Sequence, residues 1–449
     1  YVRGGIFDRV QLRQNDQAIS FRDSDFQRLS DVYAPGMPRF REMVIFFIRE
    51  HYHFDPGTPW QLELLVRRQT GPLDSVFTSF AGGYETPARY LDVPPEPAPV
   101  PASDASGSSS GGGSSSGEPP VAAGWLRGFG APEQQRPGGL GFDASGALWV
   151  AGDVFGAIDL GAGALTGPGS GLYLAKFAAD GSTLHAQAMF PADGAVTLTL
   201  SSGLAVDSTG AVVVTGWLEG AYTIGGEPLV ADELDVFVGK WDPSGAPLWG
   251  RRFGAADWQV GHAVAIGADD AIWIAGAALA GFTAGDVEVV GTGSTGIVVL
   301  RLAPDGTPEL GRWLGDAGDQ EAQALAVCDD GSIALAGFFT ATLTWGPGVS
   351  ATASGDKDMF VGTLGADGEP RWLVGYGGPG QDVASHVACG DAVVFAGSVT
   401  GPASFGALEL TPVKQADTVL GQLALADGAL LWAAGISGPE PQRPGGLAL

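Results

Sequence analysis

Short apolar segments separated by turn residues recur at a nearly fixed spacing along most of this chain. Residues 140–152 read LGFDASGALWVAG, and four later segments repeat the pattern and end on an equivalent glycine. The spacings between successive terminal glycines are 64, 60, 61 and 60 residues. A fixed period of this length indicates a repeat architecture. The five glycines are Gly152, Gly216, Gly276, Gly337 and Gly397.

Each repeat predicts four strands. A short first strand leads through a tight turn (DASG in the first copy) into a second strand that ends on the repeat glycine. A segment of variable sequence follows, and then a third strand such as LYLAKF (172–177) or VFVGKW (236–241). A second turn of the AADG or DPSG kind leads into a fourth strand. Asp, Ser and Gly in such turns favour antiparallel hairpins.

Tandem four-stranded units predict an all-β fold, a β-propeller built from four-stranded blades. One blade cannot bury both of its faces alone, whereas stacked neighbours bury them and ring closure removes exposed edges. Five complete repeats are visible. The alternative is a linear β-solenoid, which as a rule has shorter strands.

The two ends of the repeat region predict how the ring closes. Residues 125–130 (WLRGFG) match a fourth strand that lacks its first three, and residues 442–449 (QRPGGLAL) match the start of a first strand. The phrase QRPGGL also occurs at 135–140. A blade shared between the two ends predicts six blades, with further strands expected beyond residue 449.

The repeats resemble a known family. Residues 235–276 (DVFVGKWDPSGAPLWGRRFGAADWQVGHAVAIGADDAIWIAG) are similar to the SBBP-type β-propeller repeat of bacterial surface and secreted proteins, and the phrases GLAVDSTGAVVVTG and DMFVGTLGADGEPRWLVGYG carry the resemblance most closely. It covers the repeat region and none of residues 1–120. The resemblance implies a propeller fold and an extracytoplasmic location. It implies no catalytic residues.

Residues 1–92 form a separate small module, β-rich or α+β. A hairpin is predicted over residues 7–21 around Asn15-Asp16, a pair suited to positive φ. A second hairpin is predicted between residues 43–54 and 60–68, although residues 38–54 fit a helix as well. His51 and His53 alternate onto one strand face near Asp55, but no further metal ligand is suitably spaced. We interpret them as a half-exposed strand face.

Residues 93–120 join this module to the repeats at 121–449. Their sequence is rich in proline at both ends and in glycine and serine between. Such composition predicts an extended, flexible stalk without a core.

Charge and composition exclude several classes of function. The net charge is −27, of which only −1 belongs to residues 1–92. An acidic body of this kind repels phosphate backbones, so nucleic acid is not an expected partner. No apolar run approaches the ~20 residues that span a bilayer. The first residue is Tyr1, so an export signal upstream can be neither seen nor excluded from this sequence.

Cys328 and Cys389 lie in adjacent repeats, each after a first strand, in the column that Asp143 and Asp207 occupy elsewhere. First strands of neighbouring blades converge, so the two residues could form an inter-blade disulfide. Two free, half-buried thiols remain the alternative. A metal site or a catalytic cysteine is disfavoured because no His or acidic partner is spaced for it.

Other residues invite chemical interpretations that their patterns do not support. The Asp-Gly pairs of the second turn offer one carboxylate each, too few for a calcium loop, and are interpreted as hairpin turns. The fourth-strand column of Trp249, Trp372 and Trp432 contains His185 and Leu310 in other repeats, which indicates packing between blades. No nucleophile, zinc-protease or phosphate-loop motif is present. We expect no catalytic residue, metal or cofactor.

These observations favour a non-enzymatic, extracytoplasmic binding or adhesion scaffold on a flexible stalk. Its variable inter-strand loops would contact a protein or glycan partner, because function on a rigid framework is usually found in such loops. They are residues 153–170, 217–234, 277–295, 338–357 and 398–416. Two alternatives remain: a polymer-active, polysaccharide-type enzyme with its site at one end of the propeller axis, and a propeller that targets an activity of residues 1–92.

Overall fold

The chain divides into two compact units, Tyr1–Glu118 and Pro119–Leu449, in a computed structural model. The structure describes residues 6–14, 17–21, 60–67, 73–81, 84–85, 127–130, 135–191, 199–291, 294–316, 318–412, 416–438 and 442–447. Among these residues all regular structure is β. None of them forms a helix that is long and apolar enough to cross a membrane.

The first unit contains one antiparallel sheet in the described residues. Its strands are β1 (Ile6–Gln14), β2 (Gln17–Phe21), β3 (Trp60–Arg67), β4 (Leu73–Ala81) and β5 (Tyr84–Glu85). They lie in the order β2-β1-β3-β4-β5. The pairing of Gln14 with Gln17 confirms the first predicted hairpin.

The second predicted hairpin is wrong. Strand β3 has β1 on one edge and β4 on the other, so neither edge is left for residues 43–54. The next strand in the meander is β4, which follows β3 in the chain. Its apolar residues alternate with polar ones, but it was not predicted as a strand. Residues 38–54, with His51, His53 and the helix alternative, lie outside the described residues.

The second unit contains five four-stranded antiparallel sheets among its described residues, each with its strands in chain order. The first sheet consists of β6 (Gln135–Phe142), β7 (Leu148–Asp159), β8 (Ala164–Phe177) and β9 (Thr183–Met189). The second sheet consists of β10 (Thr199–Val206), β11 (Val212–Ile224), β12 (Glu227–Trp241) and β13 (Pro247–Phe253).

The other three sheets each enclose a separate short hairpin between their second and third strands. The third sheet has β14 (Gln259–Ile266), β15 (Ile272–Ala278), β18 (Gly296–Leu302) and β19 (Pro308–Leu314), with hairpin β16 (Phe282–Ala284) and β17 (Val287–Val289). The fourth has β20 (Gln320–Val327), β21 (Ile333–Phe339), β24 (Asp358–Leu364) and β25 (Pro370–Tyr376), with β22 (Thr342–Gly346) and β23 (Val349–Thr352). The fifth has β26 (Asp382–Cys389), β27 (Ala392–Val399), β30 (Asp417–Ala424) and β31 (Leu430–Ile436), with β28 (Ala403–Phe405) and β29 (Leu408–Leu410).

Consecutive sheets contact each other mainly through their first strands. Strand β6 lies against β10, β10 against β14, β14 against β20, and β20 against β26. The core lies between the sheets, where Trp149, Phe237 and Phe360 are fully buried. Strands β15 and β24 are buried on both faces, which explains why β15 is apolar along its whole length and β24 is apolar except at Asp358 and Thr363.

The variable segments are not free loops, which corrects that part of the prediction. In the first two sheets they extend strands two and three, so that Ala221 pairs with Val230, and in the other three they form the short hairpins. One face of each hairpin is buried, as Phe282, Ala284 and Val289 illustrate. These segments are therefore anchored β-structure with one exposed face.

The two ends of the repeat region do not form the strands predicted for them. Residues 127–130 and 442–447 have no strand assignment. A strand needs a partner, and the third strand that would flank residues 125–130 is not among the described residues. Phe129 nevertheless stacks on Phe177 of the first sheet with ring centroids 5.2 Å apart.

Candidate functional site

The charged, polar and cysteine side chains that could carry chemistry lie at the junctions between consecutive sheets. The first group is in the turn after each first strand. The Asp143 carboxylate accepts hydrogen bonds from the Ser145 and Ala147 backbone N–H groups at 2.9 and 3.1 Å. Asp207 does the same with Thr209 and Ala211. Each carboxylate thereby fixes its turn and holds a negative charge at the edge of a junction.

A lysine from the third strand uses that charge to fasten the next sheet. Lys176 Nζ lies 2.9 Å from Asp143 Oδ2 and donates to the Pro243 carbonyl of the second sheet at 2.9 Å. Lys240 repeats the arrangement, 2.8 Å from Asp207 Oδ2 and 3.1 Å from the Pro304 carbonyl of the third sheet. We call this arrangement the lysine clasp.

Hydrogen bonding outweighs burial at both clasp carboxylates. Burial alone would raise the pKa of Asp143, but hydrogen bonds from Ser145 and Lys176 lower that pKa to about 2. The pKa of Asp207 is likewise held below its ordinary value, with burial opposing and Lys240 and Thr209 prevailing. Both groups are therefore ionised at neutral pH.

The junction of sheets four and five uses a disulfide instead. Cys328 and Cys389 are joined, with Cα atoms 4.7 Å apart. Cys328 occupies the Asp143 column as predicted, because its N–H bonds Ser332 O as that of Asp143 bonds Ala147 O. Cys389 does not: it pairs with Val393 as the last residue of β26, one position earlier than that column.

That shift of one residue explains how the sulfur atoms meet. Side chains alternate between the two faces of a strand, and Cys389 takes the register position of Val206. The Val206 side chain faces the preceding sheet, where it would contact a Cβ on Gly141. Cys389 accordingly faces sheet four and reaches the turn that contains Cys328.

The fourth-strand column packs between sheets, which confirms the interpretation of Trp249 and Trp372; Trp432 is 41% exposed and makes no such contact among the described residues. A Cβ on Gly306 of the third sheet would lie 3.0 Å from the Trp249 ring, and one on Gly428 would lie 2.5 Å from Trp372. His185 and Leu310 meet the corresponding Gly245 and Gly368. These four glycines have φ between 72° and 91°. Each combines a hairpin turn with a close approach of the backbone to a side chain of the preceding sheet.

His185 is a packing residue in this column. Its ring lies 6.4 Å from the Trp149 ring, and burial lowers its pKa. The Asp-Gly pairs are turns between strands three and four, as predicted. Asp180 Oδ1, for example, accepts from the Ser182 backbone N–H at 2.8 Å.

A second group of polar residues, which sequence reasoning missed, is buried at the opposite ends of the same strands. Asp235, Asp358, Gln259 and Asp382 are at most 2% exposed. The last three begin strands, and Asp235 lies within β12. Asp235 has a cation: its Oδ2 lies 2.5 Å from Arg252 Nε. The carboxylates of Asp358 and Asp382 both border the position that a Cβ on Gly377 would take.

The Asp358–Asp382 pair is shaped by burial. Burial raises the pKa of Asp382 to about 6, hydrogen bonds from Gly378 and Thr400 oppose the rise, and the charge of Asp358 adds to it. Burial also raises the pKa of Asp358. The signal in the sequence was an Asp at 382 where the equivalent positions of the third and fourth sheets have Gln259 and Gln320.

An open cleft of about 560 Å³ lies beside the disulfide, across sheets four and five. Polar residues Asp330, Arg371, Asp391 and Gln422 line it together with Leu425 and Leu431. Arg371 Nη1 lies 2.5 Å from Asp330 Oδ2, so these two charges are paired.

No cluster of three or more His, Cys, Asp or Glu side chains suited to a metal ion occurs in the part of the chain that the structure describes. The outward faces of the hairpins carry Thr283 paired with Glu288 in the third sheet, Thr344 paired with Ser350 in the fourth, and Ser404 paired with Glu409 in the fifth. In the fifth sheet Ser404 Oγ donates to Glu409 Oε2 at 2.7 Å. The variable surface is thus a set of outward strand faces.

Comparison with known proteins gives a partial likeness. No protein-family model matches the chain. A protein of Pseudomonas aeruginosa named regulatory protein NosR is 69% identical over 94 residues, which are 21% of this chain and 13% of that protein. Its namesake in Stutzerimonas stutzeri is 68% identical over 92 residues, 20% of this chain and 13% of that protein. The chain is thus similar, over about a fifth of its length, to bacterial proteins named as regulators.

Proposed function

We propose that the chain is a non-enzymatic, extracytoplasmic scaffold of the SBBP propeller type that binds a protein or glycan through its hairpins. The observation that carries the proposal is a constant framework with a variable exposed surface. The inter-sheet contacts recur from unit to unit, whereas the outward pair of the hairpin changes from Thr283 and Glu288 in the third sheet to Thr344 and Ser350 in the fourth. Variable residues on a rigid framework are typical of binding surfaces.

The chemistry of the junctions supports a non-enzymatic role. Asp358 and Asp382 are 2% and 0% exposed, so a polymer substrate cannot reach this carboxylate pair. The disulfide between Cys328 and Cys389 fits an oxidising, extracytoplasmic compartment. It leaves both sulfur atoms without thiol chemistry.

Binding through the hairpins is tested with the full chain on a glycan array and against cell-envelope protein fractions. The test variants replace Thr283 and Glu288, or Ser404 and Glu409, by lysine, and the control variant replaces the exposed turn residue Asp367 by lysine. We expect the hairpin variants to lose a signal that the control retains. Equal binding by all variants would place the contact elsewhere.

We also propose that the five sheets belong to a six-bladed ring. Leu140 and Phe142 are 63% and 65% exposed, whereas Leu204, at the position of Leu140 in the second sheet, is 9% exposed. At the other end of the stack Leu431 and Ile436 are 57% and 56% exposed. Two apolar end faces of this kind support a further sheet between them. Class averages from electron microscopy of the full chain would count the blades; five blades, or an open stack, would contradict the proposal.

A regulatory role is a second proposal, supported by the 69% identity to a protein named as a regulator. It concerns the aligned segment, and it is compatible with a propeller that targets that segment. Transcript profiles of a bacterial host with the full chain, and with a chain lacking the aligned segment, test it. We expect a defined set of transcripts to change only with the full chain; identical profiles would argue against regulation.

A further inference from the structure

The buried carboxylates of Asp358 and Asp382 lie close together where the fourth and fifth sheets meet. Asp358 Oδ1 is 2.6 Å, and Asp382 Oδ2 is 2.8 Å, from the position that a Cβ on Gly377 would take. Both oxygens therefore border one small space, and the two side chains are almost fully shielded from water. Two negative charges so placed repel each other strongly, because little solvent screens them.

The same carboxylates hold three loops together. Asp382 Oδ2 accepts from Gly378 N at 2.8 Å, and its Oδ1 accepts from Thr400 N at 3.1 Å. Asp358 Oδ2 accepts from Ser354 N at 2.7 Å. Asp358 Oδ1 is buried and has no hydrogen-bond partner. A proton on the Asp382 carboxyl would give that oxygen the donor it lacks.

Among the described residues, no cation is paired with Asp358 or Asp382 in the way that Arg252 is paired with Asp235. The Lys357 ammonium lies 3.5 Å from the centroid of the Phe338 ring, which directs its charge to an aromatic face. Glu409, on the adjoining hairpin, accepts from Ser404. Tyr376, next to Gly377, is uncharged at neutral pH, and burial raises its pKa further. A proton remains the means of removing one of the two charges.

We propose that Asp358 and Asp382 form a proton-dependent latch between the fourth and fifth sheets. One carboxyl of the pair is protonated in the closed latch, and ionisation of both weakens the contact. The folded pKa of Asp382, about 6, lies above its ordinary value of 3.8. The folded state therefore holds this proton more tightly than the unfolded state. The stabilisation is complete below about pH 4 and is lost as the pH rises through about 6.

Natural variation within the chain supports the latch. Gln259 and Gln320 occupy the Asp382 position in the third and fourth sheets, and a neutral amide there needs no proton. The three junctions share this register position, and only the residue there differs: it is a neutral amide in the third and fourth sheets and a carboxyl in the fifth. Asp382→Asn therefore removes the charge at every pH, although its Nδ2 cannot accept as an oxygen does, so one of the hydrogen bonds from Gly378 N and Thr400 N is lost.

The test is thermal unfolding of the full chain between pH 4 and pH 8, with hydrogen exchange of residues 377–382 and 400–402 as the local measurement. The unfolding temperature of Asp382→Asn relative to that of the wild type should rise by on the order of 5 °C between pH 4 and pH 8, because only the wild type loses stability as the carboxyl ionises. The wild type should also lose local protection above pH 6, after correction for intrinsic exchange. Asp356→Asn, which removes an exposed carboxylate of the same loop, should match the wild type.

Two outcomes would overturn the latch. The first is a difference between Asp382→Asn and the wild type that does not change with pH. The second is stabilisation of the wild type at pH 8 by millimolar calcium chloride that EDTA reverses and that Asp382→Asn lacks. The pair would then be a cation site and not a proton latch.

Discussion

The junctions among sheets one to three and the junction of sheets four and five are held together by different chemistry. Sheets one, two and three are joined by lysine clasps, in which Lys176 and Lys240 bridge an aspartate of their own sheet and a carbonyl of the next. Sheets four and five are joined by the disulfide of Cys328 and Cys389. A clasp depends on the charge state of an aspartate, whereas a disulfide depends on the redox state. Asp143, Asp207 and Cys328 share one column, whereas the contact made in the next sheet differs, so the repeat constrains one end of the fastener and not its chemistry.

The largest expected effect comes from removing the disulfide. Cys389→Ser opens a loop whose ends are 61 residues apart, and the chain-entropy account gives a loss of about 4 kcal/mol in the free energy of unfolding. Guanidinium denaturation with and without a reductant measures it. Cys328→Ser and the double variant should lose the same amount, since each removes one bond. Unchanged stability together with two titratable thiols would mean that the free-thiol alternative is correct.

Breaking a lysine clasp should cost somewhat less. Lys240→Met leaves Asp207, whose side chain is 2% exposed, without its cation. Uncompensated buried charges typically cost about 3 kcal/mol. Denaturation of Lys240→Met and of the double variant Lys240→Met/Asp207→Asn separates the lost attraction from the stranded charge. We expect the double variant to recover part of the loss, and no recovery would show that the Asp207 turn itself is what matters.

The packing of the fourth-strand column should be equally sensitive at both kinds of junction. Gly306→Ala places a Cβ 3.0 Å from the Trp249 ring at a φ of 83°, for a loss of about 2 kcal/mol. Gly428→Ala meets Trp372 in the same way between sheets four and five. Gly331→Ala is the control, because it has a similar φ of 78° and open space. A loss at Gly331 as large as at Gly306 would attribute the effect to backbone strain alone.

The smallest expected effect is the pH dependence of stability, which differs between the lysine clasps and the Asp358–Asp382 latch. The pKa of Asp143 is about 2 in the folded state against an ordinary 3.8, so its stabilising contribution is present above about pH 4 and is lost as the pH falls through 2. Unfolding curves of the wild type and of Lys176→Met should therefore converge between pH 4 and pH 2. If the two unfolding curves stay parallel over this pH range, the stabilisation by the clasp is not ionic. The Asp358–Asp382 latch responds in the opposite direction, so acid loosens one region while it tightens the other.

The sequence was sufficient for the strands, the turns and the packing of Trp249, because the two-residue periodicity and the Asp-Gly turns are local signals. It was insufficient where a result depends on register. Cys389 was assigned to the wrong column, since a shorter turn after β26 moves it by one position. The hairpins were interpreted as loops because FTAGDVEV and ASFGALEL are too short and too divergent to align by eye. The Asp358–Asp382 pair depends on two chain segments meeting at a junction, which no local pattern indicates.

The glycine that accepts the preceding sheet's side chain gives the stack a direction. Each sheet offers a projecting residue on one side and a bare backbone on the other, so every contact is head-to-tail. Trp432, 41% exposed, is the projection that meets no following sheet among the described residues. A head-to-tail contact that repeats can end only by closing on itself or by growing into a filament. Replacing Trp432 with a small residue should therefore prevent a further sheet from packing at this end. The effect of the replacement should depend on protein concentration only if the ring is open.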